Sequence, residues 1–448
     1  MPLLTLAILT SALGYAVFSS GGVLRADWNV SLILIGSGAL LYWLTRRGPA
    51  APGIGRDLRW PLLLLPAYVL FQLLPLPVAC LGVLSRARAE LALSAAHVLP
   101  ASGFAPLTVA PDATLDHLLR ICAYISLYLL VREIASRMPR HSWAAALPLI
   151  LIASAEAAFG LFDMQGSGFA RGTYVNRNHF AGLLEIAFPL AVMYPISVVR
   201  RSRPAPLTPR AALIAGSGFA AAALIFAAII QSLSRMGFLA CLASLAVIGI
   251  ASVPKRRRLW TIALIPVALI AAVVWLPPDA LIERLATLNP AGEPSSETRI
   301  QIWADTLRLI SAYPVFGCGA GAYESALLRY KTAAPLNTVD YTHNDYLQIL
   351  AELGAVGFMI VAALLLALLR MLFRAGERHL RLACLASVAA ILLHSLVDFN
   401  LYIPANALAL AWVCGLGCRA QTGSTPSNRM RKTLRVTAVI QAQARGNS

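Results

Sequence analysis

The sequence predicts an all-α polytopic membrane protein of about twelve transmembrane helices, with a large helical loop between the ninth and tenth. Three observations predict it. Apolar runs of about 18 to 25 residues recur along the chain, the length a helix needs to cross a hydrocarbon core. Only 13% of the 448 residues are charged, about half the share of a soluble domain, and the mean hydropathy is +0.71. Basic loops alternate with acidic ones, as the loops of an inserted helical bundle do.

The candidate spans run over 3–22, 28–45, 60–84, 114–131, 143–163, 178–199, 211–231, 235–253, 259–276, 346–369, 382–397 and 401–418. The first has no basic start and no small-residue cleavage site, so it reads as a retained helix. The third carries Pro61, Pro66, Pro75 and Pro77, which kink it. Most of the 37 Lys and Arg fall in one set of loops, among them Arg46/Arg47, Arg132/Arg137, Arg200/Arg201, Lys255 to Arg258, Arg370/Arg374 and the tail after Cys418. That set holds only Asp57, Glu133 and Glu377 as acids. The bias places it, and both termini, in the cytoplasm, which an even span count matches. It also accounts for the net charge of +17 without nucleic acid, because no single module gathers the charge.

The chain therefore divides into 1–276 (nine spans), 277–342 (a loop outside the cytoplasm), 343–418 (three spans) and 419–448, a basic tail expected to be disordered. Within the loop, Ser295 to Ile310 predicts an amphipathic helix with Ser296 as N-cap and Glu297 in the first turn. Ile300, Trp303, Leu307 and Ile310 form its apolar stripe, and Pro314 stops it. Gly317 to Gly321 reads as a flexible turn into a short helix over 322–331. No strand precedes these glycines, so they make a poor dinucleotide site. All the cysteines but Cys318 lie in apolar segments, which argues against a disulfide framework. P-loops, nucleophile elbows and clustered carboxylates are absent from the sequence.

Ionisable residues in membrane helices are costly, so each raises a functional question. Glu156, Glu185, Glu352, His394, Asp398, Arg235, Arg171, Arg177 and His179 all fall in the half of the bundle away from the cytoplasm. This predicts one water-accessible cavity open to the outside, without the polar path to the cytoplasm that a small-anion transporter needs. His343 stands at the mouth of the tenth span in Tyr341-Thr-His-Asn-Asp-Tyr346. A capping histidine is the bland reading; Asn344, Asp345 and the long preceding loop favour a general base instead. Arg235, a lone cation on an outer turn, and Arg299, in a first helical turn, suit anion binding, and together they suit a diphosphate. Snorkelling and a solvated helix face are the competing readings. For Arg171, Arg177, Asn176, Asn178 and His179, an ordinary polar loop at a helix start is favoured residue by residue. Glu185 and Glu352 read as internal hydrogen-bonding groups or counter-ions to those arginines. His394 and Asp398, one turn apart, read as orienting each other.

Five pieces together resemble the O-antigen ligase family: Asn176-Arg-Asn-His-Phe-Ala-Gly182, Ser234-Arg-Met-Gly237, Glu297-Thr-Arg-Ile-Gln-Ile-Trp303, Tyr313-Pro-Val-Phe-Gly-Cys-Gly319 and Thr342-His-Asn-Asp-Tyr-Leu-Gln-Ile-Leu-Ala-Glu-Leu-Gly354. Together with the twelve-span plan they cover roughly residues 140 to 410, and the first 140 match nothing in the family. The resemblance implies a GT-C-like membrane glycosyltransferase in the bacterial inner membrane, its site facing the periplasm. It implies inverting transfer of a glycan from undecaprenyl diphosphate to a hydroxyl acceptor, without metal, nucleotide or other cofactor. His343 would be the base, and Arg235 and Arg299 the diphosphate ligands. Arg171, Arg177, Asn178, Asn344, Asp345 and Glu352 would support the site. The acceptor would be lipid A-core for a ligase, or a second glycan for a polysaccharide polymerase; protein acceptors are also known in the family.

Overall fold

The computed structural model describes residues 2–46, 53–97, 103–138, 143–252, 296–332, 338–374 and 376–418. Within them the chain is helical apart from turns and one two-stranded ribbon. Its elements are α1 (Pro2–Phe18), α2 (Arg25–Thr45), α3 (Arg56–Leu73), β1 (Pro75–Pro77), α4 (Val78–Leu84), α5 (Arg86–Ala95), β2 (Phe104–Pro106) and α6 (Pro111–Arg137). Then follow α7 (Leu147–Ser167), α8 (Arg177–Ser202), α9 (Pro209–Gln231), α10 (Arg235–Ser252), α11 (Ser296–Ala312), α12 (Tyr323–Leu327), α13 (Asp345–Arg374), α14 (Arg378–His394) and α15 (Pro404–Gly417). Six of these, α2, α7, α8, α9, α10 and α13, are long and apolar enough to cross a membrane. The protein is a multi-pass membrane protein.

The span expected over 259–276, the basic run 255–258 and the tail lie outside the described residues, as do the side chains of Ser296 and Glu297. The span expected over 60–84 is not one helix. α3 accommodates Pro61 and Pro66 but stops before Pro75, and Pro75–Pro77 pairs antiparallel with Phe104–Pro106. Two prolines at alternate positions cannot donate to a helix ladder, and they suit a short ribbon edge.

α8 is the centre of the bundle, buried over most of its length and packed on α7, α9, α10, α14 and α15. Asn176 caps it by accepting the Asn178 N–H at 2.7 Å, which satisfies one of the donors a helix start leaves free. The two ends of the bundle differ in chemistry. At one, Arg132 donates to Cys418 O, Arg378 donates to Ala251 O, and Arg201 lies 3.9 Å from Glu377. The starts of α8, α10 and α13 and the end of α14 meet at the other, bringing His179, Arg235, His343 and His394 there.

α13 is continuous in the apolar pattern but broken in the backbone. Gly354 has φ 62° and ψ −172°, a region open only to glycine. The break frees three carbonyls inside the protein, and each finds a donor: Ala351 O takes Cys318 N (3.0 Å), Glu352 O takes Gly319 N (3.0 Å), and Leu353 O takes the Tyr68 hydroxyl (2.7 Å). Beyond the break, Ala355 and Val356 N–H donate to Pro314 and Val315 O. Irregular backbone at membrane depth is tolerated when the protein itself satisfies it. Gly317 to Gly321 is therefore not a flexible turn. Gln72 accepts from Ala320 N at 3.0 Å and donates to Phe316 O at 2.8 Å, and Thr114 donates to Ala320 O at 2.8 Å. A Cβ on Gly317 or Gly354 would run into the backbone of the other strand of this knot.

α11 forms where the amphipathic pattern placed it, but the buried face is offset. Ile302, Asp305, Thr306 and Leu309 are buried, while Ile300 (64% exposed) and Leu307 (55% exposed) point away. Two polar residues decide this. Asp305 accepts from Thr332 N and Oγ1, and Thr306 bonds the Tyr323 hydroxyl at 2.7 Å, so the inward face carries its own satisfied polar pair. The short helix after the glycines spans only Tyr323–Leu327.

Candidate active site

His343 sits on the turn into α13 with φ 53°, a left-handed conformation that costs a non-glycine residue about 1 kcal/mol or more. The surrounding bonds hold it there. Thr342 N–H donates to Gln348 Oε1 (2.7 Å), its hydroxyl donates to Asn344 O (2.6 Å), and its carbonyl accepts the Trp303 indole N–H (2.9 Å). The last bond ties α11 to this turn. Arg299 lies one helical turn before Trp303 on α11, so the His343 turn and Arg299 share a support.

Asp398 is the carboxylate that faces His343. It is 1% exposed, on the connection between α14 and α15, and it collects three imidazoles. His343 Nδ1 is 3.7 Å and His179 Nε2 3.5 Å from its Oδ1, and His394 Nε2 is 3.8 Å from its Oδ2. His394 Nδ1 is in turn 2.9 Å from Glu185 Oε2. Burial pushes the Asp398 carboxyl upward, yet the facing His179 and His343, with His394, hold it well below the usual carboxylate range. The ring nitrogens that face it sit at ion-pair distance, without a hydrogen bond among the described residues. Phe399 walls the cluster, edge-on to His179 (4.5 Å) and His343 (4.9 Å) and stacked on Tyr341 (4.2 Å). Asn406 anchors the wall by donating to His179 O and Asn400 Oδ1, both at 2.9 Å.

The other residues singled out in the sequence separate into kinds. Arg235 begins α10 and is exposed. Its helix packs against α8 so closely that a Cβ on Gly237 would meet Ala181, two residues past His179. Arg299 is half-buried, and its Nε has no hydrogen-bond partner among the described residues. Arg177 is buried with its guanidinium 5.0 Å over the Phe169 ring, Arg171 is exposed, and Asn178 is half-buried in the first turn of α8.

Asn344 caps α13: its Oδ1 accepts the N–H of Tyr346 and Leu347, each at 3.0 Å. Asp345 is fully buried and accepts from Ser395 Oγ (2.6 Å) and Leu401 N (3.2 Å), which pins the Asp398 connection to α13. Glu352 accepts from Gln348 (2.8 Å), Gly321 N (2.8 Å) and the Tyr402 hydroxyl (2.9 Å), inside the knot rather than beside the arginines. Sequence reasoning left His179 as an ordinary polar residue and read His394 and Asp398 as orienting each other; the structure keeps that pair and adds His179 and His343 to it. The available signal was Asp398 itself, a carboxylate between two apolar helices at the depth of His343.

Residues 220–362 match the O-antigen ligase family (Wzy_C) model, which supports that family for this chain. His343, Arg235 and Arg299 lie within the matched span; Asp398 and His179 lie outside it. No curated protein matches the chain.

Proposed function

We propose that this protein is an O-antigen ligase: a membrane glycosyltransferase that moves a glycan from undecaprenyl diphosphate to a hydroxyl of lipid A-core at the periplasmic face of the inner membrane. In this reading about twelve spans form a GT-C-like bundle with both termini cytoplasmic, and 277–342 is the periplasmic loop. The observation that carries it is the His343–Asp398 pair, an imidazole on a left-handed backbone turn that lies in the matched family segment, backed by a buried carboxylate.

With Nδ1 turned to Asp398, Nε2 of His343 is the nitrogen left to take the acceptor's proton. The acceptor oxygen then attacks the anomeric carbon, the bond to the diphosphate breaks, and the leaving group departs with the electron pair. The configuration at that carbon inverts. Arg235 and Arg299 take up the diphosphate charge, and Asp398 stabilises the imidazolium that forms. No metal or nucleotide enters this scheme.

A polysaccharide polymerase would use the same groups with a second lipid-linked glycan as acceptor. The test is release of undecaprenyl diphosphate from a lipid-linked glycan by purified protein, with lipid A-core or a second lipid-linked glycan supplied. Release with lipid A-core, lost in His343→Ala while donor binding persists, supports the ligase; release only with the second glycan supports the polymerase. A wild type that releases nothing with either acceptor, or a variant as fast as wild type, contradicts both, and anion uptake into vesicles becomes the next assay.

A further inference from the structure

A groove of about 270 Å³ lies between α3, α6, α13 and α15. Its walls are apolar along most of their length, with Leu62, Leu65, Ile125, Leu364, Leu368 and Leu410 among them. His117, Arg120, Glu352 and Tyr402 add polar groups to the lining, as do the Tyr124 and Tyr128 hydroxyls. Two of the nearby carboxylates, Asp116 and Glu352, are already engaged. Asp116 pairs with Arg25 at 2.8 Å, and both oxygens of Glu352 accept hydrogen bonds within the knot. Arg120 Nε and His117 Nε2 are buried and have no hydrogen-bond partner among the described residues. Arg120 otherwise rests on the Trp28 ring, 5.0 Å from its centroid.

An apolar slot between helices of a membrane protein, lined by an arginine whose Nε has no hydrogen-bond partner among the described residues, has a definite complement: an apolar chain that ends in an anion. We propose that this groove binds one anionic membrane lipid, its chain along the leucine wall and its phosphate on Arg120. The site is separate from the arginines assigned to the donor diphosphate. Arg235 and Arg299 sit on α10 and α11, and among the described residues none from α8 to α11 lines the groove. An aromatic series joins the two places: His117 to Tyr402 (5.8 Å), Tyr402 to Tyr341 (5.7 Å), Tyr341 to Phe399 (4.2 Å) and Phe399 to His343 (4.9 Å). A bound lipid therefore braces the wall on which the His343 ring leans. The assignment stands on the groove alone and does not depend on the glycosyltransferase reading.

The test is native mass spectrometry of the full-length, delipidated protein titrated with phosphatidylglycerol or with phosphatidylcholine of the same chains. Wild type is expected to hold phosphatidylglycerol about tenfold more tightly, the scale of one charge-assisted hydrogen bond. Arg120→Gln is expected to erase that preference while phosphatidylcholine binding stays. Ala411→Trp, which fills the slot, is expected to lose both lipids; Leu364→Trp serves on the opposite wall where the first variant melts early. Equal retention of the two lipids by wild type overturns the proposal, and so does full retention of phosphatidylglycerol in a folded, slot-filled variant. Loss of undecaprenyl diphosphate binding on filling the slot, with phosphatidylglycerol binding intact, would assign the groove to the donor and overturn it as well.

Discussion

The protein buries two clusters of polar groups near the same end of the bundle, and they are built on opposite principles. Around Glu352, each freed carbonyl of the broken helix α13 and both carboxylate oxygens have donors, supplied by Tyr68, Gln72, Cys318, Gly319, Gly321, Gln348 and Tyr402. Around Asp398, three imidazole nitrogens stand 3.5 to 3.8 Å away, drawn by charge but not hydrogen-bonded. A saturated buried network rigidifies a fold, whereas an unsaturated one keeps a proton-transfer group available at the cost of stability. In the proposed function the Glu352 knot serves as scaffold and the Asp398 cluster carries the chemistry.

That distinction can be broken by substitution. The largest effect belongs to His343→Ala, which should lower glycan transfer by roughly 100- to 10,000-fold, the usual worth of a general base, while thermal stability stays near wild type. A comparable loss of stability with the loss of activity would make His343 scaffold too. Next comes Gly317→Ala, where φ is 73° and a Cβ meets the backbone at Glu352. It should cost about 3 kcal/mol or more, read as loss of folded protein in detergent.

Glu352→Ala strands three donors and should cost roughly 2–3 kcal/mol in chemical denaturation, with the folded fraction still turning over within severalfold of wild type. Asp398→Asn should reverse that pattern, lowering turnover by about tenfold to a hundredfold with a smaller stability change. Because the folded-state carboxyl of Asp398 lies below its unfolded value near about 4, its stabilisation is present above that pH and is lost as pH falls through the lower value. The stability gap between wild type and Asp398→Asn should therefore shrink as the pH falls below about 4. The smallest effect is Asn344→Ala, the loss of one helix cap, at about 1 kcal/mol in the same denaturation assay.

Much of the fold was legible because membrane helices announce themselves by length and apolarity. Eleven of the expected spans overlap described helices, six of which are long and apolar enough to cross a membrane, and the one over 60–84 is cut at Pro75. The break in α13 was not legible. Leu347 to Leu369 keeps its apolar run through Gly354, and only the competing donors on α3 and the Gly317 turn make a break stable there. For the same reason the first 140 residues looked mute, although Gln72, Thr108 and Thr114 turn out to clamp the motif glycines. His343, Arg235 and Arg299 stood out from local context alone. The Asp398 cluster did not, since it joins residues from three distant helix ends, Glu185 and His394 being 209 positions apart. Such a contact leaves no local pattern.

The most direct test is undecaprenyl diphosphate release by wild type, His343→Ala, Asp398→Asn and Glu352→Gln, compared at equal amounts of folded protein with the donor saturating. The account predicts release near wild type for Glu352→Gln, a partial defect for Asp398→Asn and near-complete loss for His343→Ala. Wild-type release by His343→Ala, or a defect in Glu352→Gln as deep as that of Asp398→Asn, would contradict it.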